Sequence, residues 1–206
     1  MIVTSLENQK KHKDRVNVYL DGEYFCSLSL FCVLKNRLKV GSEVTESEME
    51  YIKEKGEIEV ATDKAMKHLS KSQKTEKEIF SHLLSKGFDE NIATYVVEKL
   101  KEYSYIDDEK YANDYVKSYS KYDGKRKIVY GLKQKGVPDE IINKVIDEFE
   151  FDEDIAFNVL TKYMKGKPLD IKTKQKAYRF LQGKGFDGEE ISHAINSIWQ
   201  GDIEDC

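Results

Sequence analysis

Three stretches of the chain, IFSHLLSKGFDENIATYVVEKL, IVYGLKQKGVPDEIINKVIDEF and AYRFLQGKGFDGEEISHAINSI, superimpose at a constant offset. Their Lys-Gly-hydrophobic centres fall at Gly87, Gly136 and Gly185, a spacing of 49. An internal period of this length predicts a tandem array of small units rather than one large core. Four residues before each glycine stands Leu83, Leu132 or Leu181, and eight before stand Ile79, Ile128 and Ala177. That spacing puts them on one face of a helix ending at the glycine. Glycine there takes the left-handed backbone of a helix C-cap, and the preceding lysine suits the negative end of the helix dipole. Ten and thirteen residues after the glycine come Val97 and Leu100, Ile146 and Phe149, Ile195 and Ile198. They mark a second helix opening near Asp89, Asp139 or Asp187. A further helical pattern lies upstream of each pair: Ala65 with Leu69, Ala112 with Val116 and Tyr119, Ala156 with Leu160. The unit is three helices, repeated three times.

The repeat also explains a misleading motif. Gly183, Gly185 and Gly188 spell G-x-G-x-x-G, the fingerprint of a dinucleotide-binding turn. Such a site needs a strand before its first glycine, whereas KQKAYRFLQ reads as helix. Gly185 is the repeat's C-cap, and its two neighbours are local variation in the third copy.

The N-terminal segment has a different period. RVNVYLDGEYFCSL alternates Val16, Val18 and Leu20 against Arg15, Asn17 and Tyr19, and Asp21-Gly22 supplies a type I′ hairpin turn. With MIVTSLE as a third strand this makes a small sheet. SLFCVLKNRL and TESEMEYIKEK then read as helical, Thr45 and Glu48 forming a capping box. The expected fold is mainly α: a small β-containing N-terminal segment with helices (1–58), then repeats over 59–104, 105–151 and 152–206, the last including a C-terminal tail. Small units in tandem stack end to end, so an elongated curved array is expected.

With 39% apolar and 35% charged residues, the composition suits small helical units with wide solvated faces. Cys26, Cys32 and Cys206 form an odd set without C-x-x-C spacing, against a disulfide framework or a zinc site. The N-terminus lacks a signal-peptide core and no run approaches membrane-span length, so a cytoplasmic protein is expected; separately, a monomer is expected. His12, His68, His82 and His193 do not pair at metal-ligand spacing, no P-loop occurs, and no clustered titratable set points to catalysis. No cofactor, no metal and no enzymatic activity are therefore expected. Asp107-Asp108 precedes EKYANDYV, where helix capping is the ordinary role.

The net charge of −4 conceals strong segregation. Residues 162–184 carry eight bases and one acid, Asp170, while 147–154 carry six acids and no base. Lys117, Lys121, Lys125, Arg126, Lys127, Lys133, Lys135, Lys172, Lys174, Lys176, Arg179 and Lys184 are the candidate residues for a partner or nucleic acid. Interleaved Tyr111, Tyr115, Tyr119 and Tyr122, with Tyr103, Tyr105 and Tyr130 nearby, suit either base stacking or a helix face. Four-residue spacing favours a buried face for Tyr111, Tyr115 and Tyr119.

TEKEIFSHLLSKGFDENIATYVVEKLKEYSYIDDEKYANDYVKSY, followed by GKRKIVYGLKQKGV, resembles the RecX family, bacterial regulators of the RecA recombinase. The likeness rests on Ile106-Asp107-Asp108, Tyr111-Ala112, Tyr115-Val116, the Gly124-Lys125 segment and Leu132-x-x-Lys135-Gly136. It extends over roughly residues 60–200. Lys71 stands where the family usually has arginine. The third unit has an extra residue near Gly188 and the basic connection KGKPLDIKTKQK. The resemblance implies tandem three-helix units and a RecA–DNA filament as partner, with the protein lying in its groove. Strand exchange, ATP hydrolysis and the coprotease role in the SOS response would be restrained, and DNA contacted more weakly or indirectly. A stand-alone nucleic-acid-binding helical repeat protein is the alternative.

Overall fold

A computed structural model describes residues 1–10 and 14–204, with side chains to residue 200. His12 and Cys206 lie outside the described residues.

The N-terminal strands β1 (Val3–Asn8), β2 (Arg15–Leu20) and β3 (Glu23–Ser29) form one antiparallel sheet in the order β1-β2-β3. The β2–β3 turn places Asp21 at φ 47° and Gly22 at φ 93°, as a type I′ turn requires. Val16, Val18 and Leu20 point inward on alternate residues and join Val3, Leu28, Cys32 and Met49 in one core. Burial pushes the Cys26 thiol, in the same cluster, up to about 11. Helix α1 (Leu30–Lys35) follows, capped by the Ser29 hydroxyl. Helix α2 (Glu46–Leu69) opens on the Thr45–Glu48 capping box and runs unbroken for 24 residues, through positions 58 and 59.

The expected helix triplets follow. The end of α2 leads into α3 (Glu76–Ser85) and α4 (Glu90–Glu102). Next come α5 (Asp108–Tyr119), α6 (Lys125–Lys135) and α7 (Asp139–Glu148), then α8 (Ile155–Met164), α9 (Ile171–Gly183) and α10 (Gly188–Glu204). The repeat register holds at its core positions. Leu83, Leu132 and Leu181 are fully buried, and Ile79, Ile128 and Ala177 nearly or fully so. Gly87, Gly136 and Gly185 have φ of 87°, 79° and 85°, the left-handed region foreseen for them. Asp89 caps α4 by accepting from the Ile92 amide, and Asp187 accepts from the Glu189 and Glu190 amides. Asp139 instead occupies the first turn of α7, after Pro138. KQKAYRFLQ lies within α9, so no strand precedes Gly183.

The chain forms two compact units, Met1–Gln73 with Ile79–Tyr105, and Lys74–Glu78 with Ile106–Cys206. In the second unit a single docking contact occurs twice, at the repeat spacing. The Thr75 hydroxyl donates to the Lys135 carbonyl at 2.7 Å, and 49 positions on the Gly124 amide donates to the Lys184 carbonyl at 2.8 Å. Each lysine also reaches a carboxylate beside the docked turn, Lys135 to Glu78 at 2.8 Å and Lys184 to Asp123 at 3.0 Å. A left-handed turn is thereby seated on the first turn of a middle helix each time. Among the described residues no helix is long and apolar enough to cross a membrane.

Candidate partner and nucleic-acid interface

The candidate cations lie on the second unit, on and around α5, α6 and α9. Helix α6 opens with Lys125, Arg126 and Lys127, and its first turn holds no acid. Cations there oppose the positive end of the helix dipole, a local cost that a bound anion would offset. Ile128 and Leu132 face the core, which turns Arg126, Tyr130 and Lys133 outward on one stripe. On α9, Thr173, Ala177 and Leu181 are buried, so Lys172, Lys176 and Arg179 share an exposed stripe. Asp170 caps that helix. The amide and hydroxyl of Thr173 hold the Asp170 carboxyl below its usual range.

The twelve candidates are not equivalent. Lys117, Lys121, Lys125, Arg126, Lys172, Lys176 and Arg179 are exposed, and Lys172 and Lys176 lie near enough to Asp170 to help hold its carboxyl low. Lys174 is exposed, its ammonium 5.8 Å from the Trp199 ring. Lys133 pairs with Asp139 at 2.9 Å. Lys127 and Lys184 converge on the same oxygen of Asp123, each at 3.0 Å, and that carboxylate is only 9% exposed. Lys135 is half-buried against Glu78. Burial raises the Glu78 carboxyl, but the Lys135 ammonium and the Thr75 amide outweigh it and leave it below its ordinary value. Hydrogen bonding to Glu78 raises Lys135 in turn. Lys135 and Lys184 therefore fasten repeat to repeat, and Lys127 shares the Asp123 carboxylate with Lys184, while all three contribute positive field.

The expectation of a buried tyrosine face needs correction. The seam of α5 is Ala112 and Val116, both fully buried, one position away from the tyrosines. Tyr111 and Tyr115 are half-buried and Tyr119 is 43% exposed. The three rings stack in series, with centroids 6.3 Å and then 4.3 Å apart. Tyr115 lies against Gly131 of α6, where a β-carbon would stand 2.2 Å from its hydroxyl. Tyr103, Tyr105, Tyr122 and Tyr130 are exposed.

Asp107 caps α5 through the Lys110 amide, as expected. Asp108 is buried and accepts instead from the Glu76 amide, at the first turn of α3. Among the described residues no group of three or more His, Cys, Asp or Glu side chains is placed to hold a metal. His68 and His82 do meet, their rings parallel and 4.0 Å apart, a contact that sequence spacing did not reveal. Asp123 was likewise missed, although its place four residues before Lys127 was a usable signal.

Family models match the chain in order along its length. The regulatory protein RecX N-terminal domain covers residues 1–45, and the first, second and third RecX three-helix domains cover 61–100, 107–146 and 152–195. The chain belongs to the RecX family. It is 32% identical to the regulatory protein RecX of Clostridium tetani, over 97% of this chain and 95% of that one. It is 34% identical to that of Clostridium beijerinckii, over 98% of both. A crystal structure of regulatory protein RecX aligns with TM-score 0.65 and 25% identity, covering 97% of this chain and 98% of that one. RecX from Lactobacillus salivarius shares the fold, with TM-score 0.60 over 68% of this chain and 96% of its own, at 22% identity. The exposed cations of α6 and α9 thus lie in the second and third RecX three-helix domains.

Proposed function

We propose that this chain binds RecA–DNA filaments and restrains RecA strand exchange, ATP hydrolysis and coprotease activity in recombinational repair and the SOS response. The observation that carries this reading is the match of all four RecX modules, in order, in a chain whose relatives are named regulatory proteins. RecA regulation is the family's role. The basic stripes of α6 and α9 support a contact near filament-bound DNA, because Arg126, Lys172, Lys176 and Arg179 are exposed and available to phosphate. The protein acts by binding, as a cytoplasmic monomer without a cofactor or chemistry of its own.

A second reading, a free-standing nucleic-acid-binding repeat protein, draws on the wholly basic first turn of α6. Co-sedimentation with RecA filaments on single-stranded DNA, beside bare DNA, separates the two. Retention on filaments together with slowed RecA ATP hydrolysis is expected. Equal retention on bare DNA with unchanged hydrolysis favours the second reading.

A further inference from the structure

The first unit carries a surface of opposite character. Between α2 and α4 lies an open groove of about 670 Å³, lined on α2 by Glu50, Tyr51, Glu54 and Glu57 and on α4 by Asp89 and Tyr95. One lysine, Lys53, lies among these acids, 3.5 Å from Glu50. The charge of the groove repels phosphate, so it is no extension of the nucleic-acid candidates above.

Its tyrosines mark it as more than a solvated acidic helix. Tyr51 is 60% exposed and Tyr95 39%, on different helices, and one ammonium already lies between them. The Nζ of Lys55 is 5.4 Å from the Tyr51 centroid and 5.7 Å from that of Tyr95, both within reach of a cation–π attraction. Tyr51 reaches that lysine along its own helix, and Tyr95 reaches it from α4. Two aromatic faces turned towards one cation, rimmed by carboxylates, make a receptor for an ammonium or guanidinium, and Lys55 occupies it from within the chain. Tyrosines with exposed ring surface are also among the residues that most often anchor protein contacts.

We propose that this groove docks a lysine- or arginine-bearing segment of a protein partner, whose cation displaces the Lys55 ammonium from between Tyr51 and Tyr95. Glu50, Glu54 and Glu57 then steer and hold the segment's remaining positive charge. The proposal deepens the RecA reading by assigning a protein contact to the first unit, and rests on that reading only for the partner's identity.

The test uses the full chain and two synthetic twelve-residue peptides, one alternating Arg with Gly and one alternating Glu with Gly, measured by interferometry. The Arg peptide is expected to bind and the Glu peptide not. Tyr51→Leu with Tyr95→Leu keeps the charge and the apolar bulk but removes both π faces, and should weaken Arg-peptide binding about tenfold. Glu54→Lys with Glu57→Lys should abolish it, and Lys55→Ala should strengthen it. Unchanged affinity in the double leucine variant, with unaltered far-UV circular dichroism, overturns the proposal by reducing the effect to diffuse charge. Filament co-sedimentation is run in parallel. Peptide capture without filament binding keeps the groove and sinks the RecA reading, whereas filament binding without peptide capture sinks the groove alone.

Discussion

Gly124 and Gly185 meet backbone to backbone: a β-carbon added to Gly124 would stand 2.5 Å from the carbonyl of Gly185, and one added to Gly185 would stand 2.4 Å from the Lys127 amide nitrogen. The contact seats the left-handed turn before α10 on the first turn of α6, sealed by Asp123 between Lys127 and Lys184. Alanine at Gly124 should therefore cost about 1–3 kcal/mol by overpacking. Gly185→Ala should cost more, since its φ of 85° adds backbone strain. Gly87 has the same backbone but open space around its β-position, so Gly87→Ala should cost only about 1–2 kcal/mol. Urea denaturation of the three variants checks the order. Equal losses at Gly87 and Gly185 contradict the docking account.

The repeat was legible because its period is written in residues that tolerate few substitutes: a leucine on the seam and a glycine in the left-handed region. The β-hairpin was legible through Asp21-Gly22 and strict alternation for similar reasons. The docking contact was not. It depends on backbone carbonyls, which every residue carries, and on small residues at Thr75 and Gly124 whose role appears only once their neighbours are in place. The tyrosines misled because four-residue spacing defines a helix face without saying which face is the seam; Ala112 and Val116, one position on, took it. The His68–His82 stack joins two helices across 14 residues, where no local period applies.

Leu132 tests the register directly. It is fully buried in the cluster with Ala112, Val116, Ile128 and Ile142. Leu132→Ala should destabilise the protein by about 2–5 kcal/mol, read from the denaturation midpoint. A loss below about half a kcal/mol would falsify its place in the core.

The cations separate into two classes with different mutational signatures. Reversing Arg126, Lys172 and Arg179 to glutamate removes exposed charge and should leave the denaturation midpoint nearly unchanged. DNA-dependent binding should weaken, and its log–log salt slope should fall by about two, at roughly 0.7 per phosphate contact on a single strand. Reversing Lys127 and Lys184 should instead lower stability, because it leaves Asp123 nearly buried beside two like charges. A wild-type salt slope in the first variant would reduce those stripes to solvated surface.

Acid should loosen the first unit through the stacked histidines. Burial lowers His82 below its ordinary 6.5, and His68 with Lys86, Lys71 and Lys64 lowers it further. The folded state thus takes up the proton less readily than the unfolded chain. The stabilisation is fully present above about pH 6.5 and is lost as pH falls through the lower folded value. His82→Phe keeps a ring against His68 but removes this titration, so its denaturation midpoint should vary less between about pH 7.5 and 5 than that of the wild type. Identical pH profiles would assign the acid sensitivity elsewhere.

The proposed function makes a demand on the partner's state of assembly. Basic stripes on α6 and α9 and the acidic, tyrosine-lined groove on the first unit are separate surfaces of one chain. Each alone should bind weakly. Once one surface is engaged, contacts by the others are intramolecular, and the gain appears only where partner surfaces are already arrayed. Assembled RecA filament should therefore be strongly preferred over RecA monomer, and over bare DNA at physiological salt. Combining the Tyr51→Leu, Tyr95→Leu pair with the Arg126→Glu, Lys172→Glu, Arg179→Glu set should bring filament affinity down towards that for monomer. Titration calorimetry with monomer, filament and DNA measures the preference. Equal affinity of the wild-type protein for monomer and filament excludes an array-dependent mechanism, and loss confined to the basic set would place the whole interaction on DNA.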